Sequence, residues 1–248
     1  MDGADRRHVA RIAPLLPGKA TEPGVTAADN RQFLDAVPWR FRTGSPWRDI
    51  PERFGIWDSV FRRFRLWAVS GVFERAFDAL SEEFDLDHVF ADGTIVQAHQ
   101  KASGVRGGTG MRGIGPSLGG LTRKIVAVVD ALGCLARIVI LPGRAQHLAG
   151  VPALLEDLRF GAFIGDKAFD SDRLLEEVEG RGAVLVIPPK RNRTASRDHD
   201  REMCMWRHQI EGFFAKIEEF RAVAARNDKT GGSFATGIHL VAGVIAAT

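Results

Sequence analysis

His88-Val-Phe-Ala-Asp92-Gly-Thr-Ile-Val96 is the stretch on which the fold turns. Before it the chain reads as helices. From Asp85 onward β-branched runs take over. His88 to Asp92 reads as a strand ending in a carboxylate. Asp92-Gly93 between two apolar triplets is also the strongest short signal for a tight hairpin turn, so a structural reading of Asp92 stands beside any chemical one. Working outward, Lys124 to Val129 and Arg137 to Leu141 are two further strand-like runs. The segment Asp130-Ala-Leu-Gly-Cys-Leu135 between them is expected to close a hairpin. Leu148 to Leu158 has helical character, Ala162-Phe-Ile-Gly-Asp166 reads as a short strand, and Ser171 to Gly180 as a helix. Val184 to Ile187 is a strand stopped by Pro188-Pro189, and a long helix is expected from about Met203 to Val223. This succession predicts a mixed α/β domain.

Upstream, Thr26-Ala-Ala-Asp-Asn30 opens a helix with Thr26 as its cap, and Phe33, Leu34 and Val37 recur at helical spacing. Pro38 is expected to kink or end it. Ile56, Val60, Phe64 and Trp67 form one stripe of a second helix, with Arg62, Arg63 and Arg65 mostly off that stripe. Gly71 interrupts, and a helical pattern resumes from Val72 to Phe84.

The 248 residues suit one large domain or two small ones. With 45% hydrophobic and 26% charged residues the chain can bury a real core, which excludes wholesale disorder. Cys134 and Cys204 cannot build a disulfide scaffold, and no histidines stand at zinc-finger spacing to them. The longest apolar stretch, Ile125 to Leu141, is broken by Asp130 and Arg137, so no membrane span is expected. The charged N-terminus lacks a signal-peptide core, and a cytoplasmic location is expected. Net charge is only +3, but the isoelectric point is about 9.1 and arginine dominates the basic residues. That balance is compatible with nucleic acid, and arginine's planar fork suits phosphate.

Acidic residues at element ends carry the sharpest chemical signal. Asp92 closes the first strand, Asp166 follows another, and Glu211 lies inside the last long helix. Sites of α/β sheets form at the carboxyl ends of strands, and three carboxylates meeting there suit Mg²⁺ or Mn²⁺. Each has a plainer reading: a hairpin turn for Asp92, a turn cap for Asp166, and an exposed helix pair with Arg207 for Glu211. Gly108-Thr-Gly-Met-Arg-Gly113 matches a dinucleotide-binding pattern, but it neither follows a strand nor opens a helix, so a glycine-rich loop is the better reading. His99, just past the first strand, reads as structural or solvent-facing.

The sequence around these residues resembles the insertion-sequence-five family of bacterial transposases, within the DDE superfamily. The likeness runs over nearly the whole chain. In the first part it rests on Ala13-Pro-Leu-Leu-Pro-Gly18, Thr26-Ala-Ala-Asp-Asn-Arg31 and the segment Arg42-Thr-Gly-Ser-Pro-Trp-Arg-Asp-Ile-Pro-Glu-Arg-Phe-Gly55. Further on it rests on Asp92-Gly-Thr-Ile-Val-Gln-Ala-His-Gln100, Val129-Asp-Ala-Leu-Gly133, Gly165-Asp-Lys-Ala-Phe-Asp170, Ile187-Pro-Pro-Lys-Arg-Asn-Arg193 and Ile210-Glu-Gly-Phe-Phe214. The resemblance implies a helical DNA-binding region over residues 1–85. Behind it comes a ribonuclease H-like catalytic domain over 86–248, a mixed sheet with flanking helices.

The same resemblance implies that Asp92, Asp166 and Glu211 form a catalytic triad holding Mg²⁺ or Mn²⁺, two ions in all. It implies cutting and joining of DNA at terminal inverted repeats and target sites. Water would act first and the freed 3′-hydroxyl second, with no covalent protein intermediate. Arg62, Arg63, Arg65, Lys190, Arg191, Arg193 and Arg207 are the expected DNA contacts. A homodimer in the DNA complex and association with the bacterial nucleoid are expected too. Two other readings stand beside this one: a non-catalytic DNA-binding derivative, and a metal-dependent nuclease of the same fold. The chain departs from the family at Gly93 (Ser is usual), Leu118 (Arg), Phe169 (Tyr), Cys204 (Tyr) and Glu218 (Lys).

Overall fold

The protein is described as a computed structural model, which covers residues 10–18, 29–80, 85–97, 115–117, 120–190, 200–224 and 231–246. It divides into two compact units: residues 1–83, 101–104 and 217–248 form one, and residues 84–100 and 105–216 the other.

The first unit is helical. Helix α1 (Asn30–Thr43) is capped by Asp29, whose carboxylate accepts from the Gln32 amide at 3.0 Å. Thr26, the expected cap, lies outside the described residues. Pro38 does not end the helix. It sits buried in its interior, and the helix runs on to Thr43 because Phe33, Ala36, Val37 and Phe41 bury one continuous face that outweighs one lost hydrogen bond. The chain leaves α1 through Gly44 at φ 69°, a left-handed end that closes on the Arg40 carbonyl. Helix α2 (Trp57–Val69) buries Val60, Phe64 and Trp67, as the stripe predicts, but Ile56 before its first turn is exposed. Helix α3 (Val72–Leu80) follows the Gly71 break. An aromatic cluster joins them. Phe33 meets Trp67 edge-on at 4.7 Å, and Phe64 lies between Trp47, Phe41 and Phe73 at 4.9 to 5.7 Å.

The second unit is built on a six-stranded sheet. Its strands are β1 (His88–Gln97), β2 (Gly115–Ser117), β3 (Gly120–Val129), β4 (Leu135–Pro142), β5 (Ala162–Gly165) and β6 (Val184–Val186). β1 is central. On one side it pairs antiparallel with β3, whose far edge carries β4 and the short β2. On the other side it pairs parallel with β5, which pairs parallel with β6. The β3–β4 hairpin is therefore present. Its turn is held by Asp130, fully buried, which accepts from the Leu132 and Cys134 amides at 2.9 and 2.7 Å. Val89, Ala91, Val126, Val128 and Phe163 form one face of the sheet. Against it pack α4 (Val151–Leu155), reached through a 3₁₀ turn at His147–Gly150, and α5 (Asp172–Glu179), capped by Ser171.

Asp92-Gly93 makes no hairpin turn. β1 runs straight through it to Gln97, with Asp92 paired to Ala127 and Gly93 to Val126. The long helix expected from Met203 to Val223 is three: α6 (Arg201–Met205), α7 (His208–Glu218) and α8 (Arg221–Ala224). The last helix, α9 (Gly231–Ala246), packs on α1, α2 and α3. α8 and α9 thus group with the N-terminal helices, where the sequence predicts one domain with the sheet over 86–248. Among the described residues no helix is long and apolar enough to cross a membrane.

Candidate active site

The parallel ladder between β1 and β5 ends at Ala91 opposite Gly165. The next residue on each strand is an aspartate, so Asp92 and Asp166 leave the ladder side by side. Asp166 begins a 3₁₀ turn, Lys167–Phe169, and its Oδ1 accepts from the Ala168 amide at 2.8 Å. The capping reading of Asp166 is therefore correct as structure, and one carboxylate oxygen does that work. Asp92 Oδ1 accepts from the Gly93 amide at 2.7 Å. Burial raises the Asp92 carboxyl above its ordinary pKa, and the nearby charge of Asp166 adds to this. The Gly93 hydrogen bond, Arg207 and His147 act the other way.

Arg207 comes from the junction of α6 and α7. That junction is anchored by Trp206, whose ring meets His88 at the start of β1 edge-on at 5.8 Å, and by Gln209 packed on Gly133 of the β3–β4 turn. Arg207 Nη2 donates to Asp92 Oδ2 at 3.3 Å and lies 3.7 Å from Glu211 Oε1. One guanidinium thereby joins the strand carboxylate to the helix carboxylate. Arg207 is 26% exposed and Asp92 21%, but Glu211 is 64% exposed, so the outer half of this chain is the weaker half. Arg207 Nε is buried and has no hydrogen-bond partner among the described residues. Among those residues no three His, Cys, Asp or Glu side chains are gathered closely enough to hold a metal ion. The guanidinium lies within ion-pair distance of both Asp92 Oδ2 and Glu211 Oε1.

The other expected contacts fall into four groups. Arg62 and Arg65 are exposed on α2; Arg62 pairs with Asp58 at 2.9 Å, and Arg65 lies over Phe61 at 5.9 Å. Arg63 is folded inward, over Phe33 and Trp67 at 4.5 and 4.7 Å, and donates to the Asp29 carbonyl. Burial lowers its pKa. Lys190 is tied to the turn after Asp166: its amide donates to Asp170 Oδ2 at 2.9 Å and its Nζ to the Asp170 carbonyl at 2.8 Å. Arg191, Arg193, His99, Leu118 and the glycine-rich segment Gly108–Gly113 lie outside the described residues.

His147, which no sequence motif singles out, also reaches this region. A Cβ on Gly93 would lie 2.5 Å from His147 Nε2 and nearer still to its Cδ2, so the imidazole occupies the space of a side chain at 93. The same ring meets Phe169 at 5.4 Å. A glycine inside a strand was the trace of this in the sequence, since such a glycine marks a close approach.

Comparison with known families places the chain. The profile described as a transposase DDE domain matches residues 83–233, and that of a candidate transposase of the IS4/5 family matches residues 6–77. The chain belongs to the DDE transposases of the IS4/5 group. A Brucella ovis protein, named as a candidate transposase for insertion sequence element IS6501, is 34% identical over 127 residues, half of this chain and 98% of that protein. The Sinorhizobium fredii protein y4sN, of uncharacterised function, is 40% identical over 111 residues, 45% of this chain and 89% of its own length. Among solved structures, a piggyBac transposase synaptic complex with hairpin DNA aligns over 94% of this chain and 68% of its own, with 13% identity and a TM-score of 0.48.

Proposed function

We propose that this transposase binds the terminal inverted repeats of its element and cuts and joins DNA, with Asp92, Asp166 and Glu211 as the catalytic carboxylates. The observation that carries the reading is the Arg207 bridge. It draws together Asp92 and Glu211, from opposite ends of the sheet unit's sequence, beside the strand end that carries Asp166. We read that unit as ribonuclease H-like.

The donor chemistry fits a hard divalent cation. Burial raises the Asp92 carboxyl and the charge of Asp166 adds to it, and the two side chains leave the β1–β5 ladder side by side, a pair of carboxylates that a cation would neutralise. Asp92, Asp166 and Glu211 would hold Mg²⁺ or Mn²⁺, two ions, after Arg207 swings away from the carboxylates. Bound there, such ions supply charge relief at the attacking and leaving oxygens of an in-line phosphodiester displacement. The remaining work falls to the chain. The Gly93 amide orients Asp92, and the Asp166 cap fixes the second carboxylate at the strand end. Arg207, whose buried Nε has no hydrogen-bond partner among the described residues, holds a DNA phosphate beside them. Arg62 and Arg65, exposed on α2, are the helical unit's phosphate contacts. Two copies would bring two element ends together.

The interposed Arg207 and the absence of a three-ligand cluster among the described residues favour one other reading, a derivative that occupies the ends without cutting. Purified protein with Mg²⁺ and a labelled fragment carrying the element ends separates them. The proposed reading requires cleavage and joining that fall to background in Asp92→Asn, Asp166→Asn and Glu211→Gln while DNA binding persists. Binding without cleavage by the unaltered chain establishes the derivative, and cleavage without joining the nuclease.

A further inference from the structure

We infer that His147 is a positioning residue, its imidazole locking the Asp92 segment of β1 to the turn that follows Asp166. The inference rests on the reading of Asp92 and Asp166 as metal ligands. Three segments meet at this ring. The first is β1, where Gly93 leaves open the volume that the ring fills, with the Ile125 carbonyl 3.4 Å from the same point. Gly93 is also the residue whose amide holds Asp92 Oδ1, so pressure on its Cα acts one bond from the group that aims the carboxylate. The second is the 3₁₀ turn that His147 opens directly after β4, seated through the buried Gly150 on Val139 and Leu141. The third is Phe169, fully buried, which closes the turn capped by Asp166 and meets the imidazole at 5.4 Å and 55°.

Side chains alternate across a strand, so position 93 faces the side of Val89 and Ala91 in the core, opposite Asp92. The ring therefore stands behind the carboxylate and takes none of the ligand space in front of it. Interiors are close-packed, and a volume filled by one ring cannot also take a methyl group. Residues 93 and 147 are thus coupled by size.

The test uses the full chain and Mn²⁺ alone, with bound ion measured by electron paramagnetic resonance and folding by thermal melting. His147→Ala is expected to weaken Mn²⁺ binding about tenfold or more, as loss of an outer-shell support does, with melting within a few degrees of the unaltered chain. Gly93→Ala should give a similar loss while His147 is present and almost none when added to His147→Ala, because the space is then free. His147→Gln, which keeps most of the volume, should recover part of the affinity and serves if His147→Ala does not fold. Unchanged affinity in His147→Ala, or losses from the two sites that simply add, overturns the inference while leaving the metal reading intact. A chain that binds no Mn²⁺, or binds it equally with Asp92→Asn, overturns the metal reading and this inference with it.

Discussion

At the scale of single residues, Arg207 has the most uses. It donates to Asp92, pairs with Glu211 and has a buried Nε with no hydrogen-bond partner among the described residues. Replacement by Ala is expected to lower cleavage far more than total DNA affinity, because on the proposed reading most phosphate contacts come from other basic residues. Arg191→Ala should do the reverse, lowering affinity evenly across sequences, since phosphate contacts position without specifying. Parallel cleavage and binding assays on both variants decide this, and equal small losses would reduce Arg207 to a helix-surface pair. Asp130 makes a different prediction. Burial raises its carboxyl despite the amides of Cys134 and Leu132, and its Oδ2 has no hydrogen-bond partner among the described residues. The unfolded chain then releases this proton at lower pH than the folded one. Between the ordinary value, about 4, and the raised one, stability is lost as pH rises; below that window both states are protonated and nothing is lost. The melting temperature of Asp130→Asn should therefore gain on that of the unaltered chain across the window and hold its gain above it. A difference that ignores pH would remove burial as the cause.

At the scale of elements, the end of α1 shows how one glycine joins two helices. Gly44 has φ +69°, and a Cβ there would lie 2.9 Å from the Arg221 Cβ at the start of α8. That neighbour is the root of a side chain and cannot swing aside as its tip would. Gly44→Ala should cost roughly 1–3 kcal/mol, from the left-handed backbone and the crowding together, measured by denaturant unfolding. A loss of a few tenths would mean that α8 shifts freely. Pro38 illustrates the same balance from the other side: its buried ring stays within α1 because the helix face around it is buried too.

At the scale of the molecule, the helical unit is completed from the far end of the chain. α9 lies on α1, α2 and α3, and Gly237 is small where the Phe41 ring passes, with its Cζ 2.8 Å from the point a Cβ would occupy. A fragment of residues 1–85 leaves that aromatic face bare. It is expected to lack fixed packing, read by tryptophan fluorescence and near-ultraviolet circular dichroism, because Trp39, Trp47, Trp57 and Trp67 all lie in this unit. Joining residues 217–248 to it should restore the signal; a fragment that packs without them would contradict the arrangement. Salt titration of DNA binding belongs on the full chain, where the affinity should fall steeply as salt releases Arg–phosphate contacts.

Much was legible without coordinates. The β-branched runs, the α2 stripe of Val60, Phe64 and Trp67, the Asp130 turn and the place of Asp166 just past β5 follow from preferences that act within a few residues, whereas Asp92, expected to end its strand, lies inside β1. The family likeness rested on the order of short motifs, and sequence comparison alone bears it out. Tertiary structure decided what local preference left open. Asp92-Gly93 has the chemistry of a turn, and it became mid-strand because β3 pairs along it and on to Gln97. Pro38 stayed helical because its surroundings are buried. The meeting of His147 with Gly93, of Arg207 with Asp92, and of α9 with α1 are contacts between residues far apart in the chain. They are set by which faces must leave water together, and no window of sequence contains both partners.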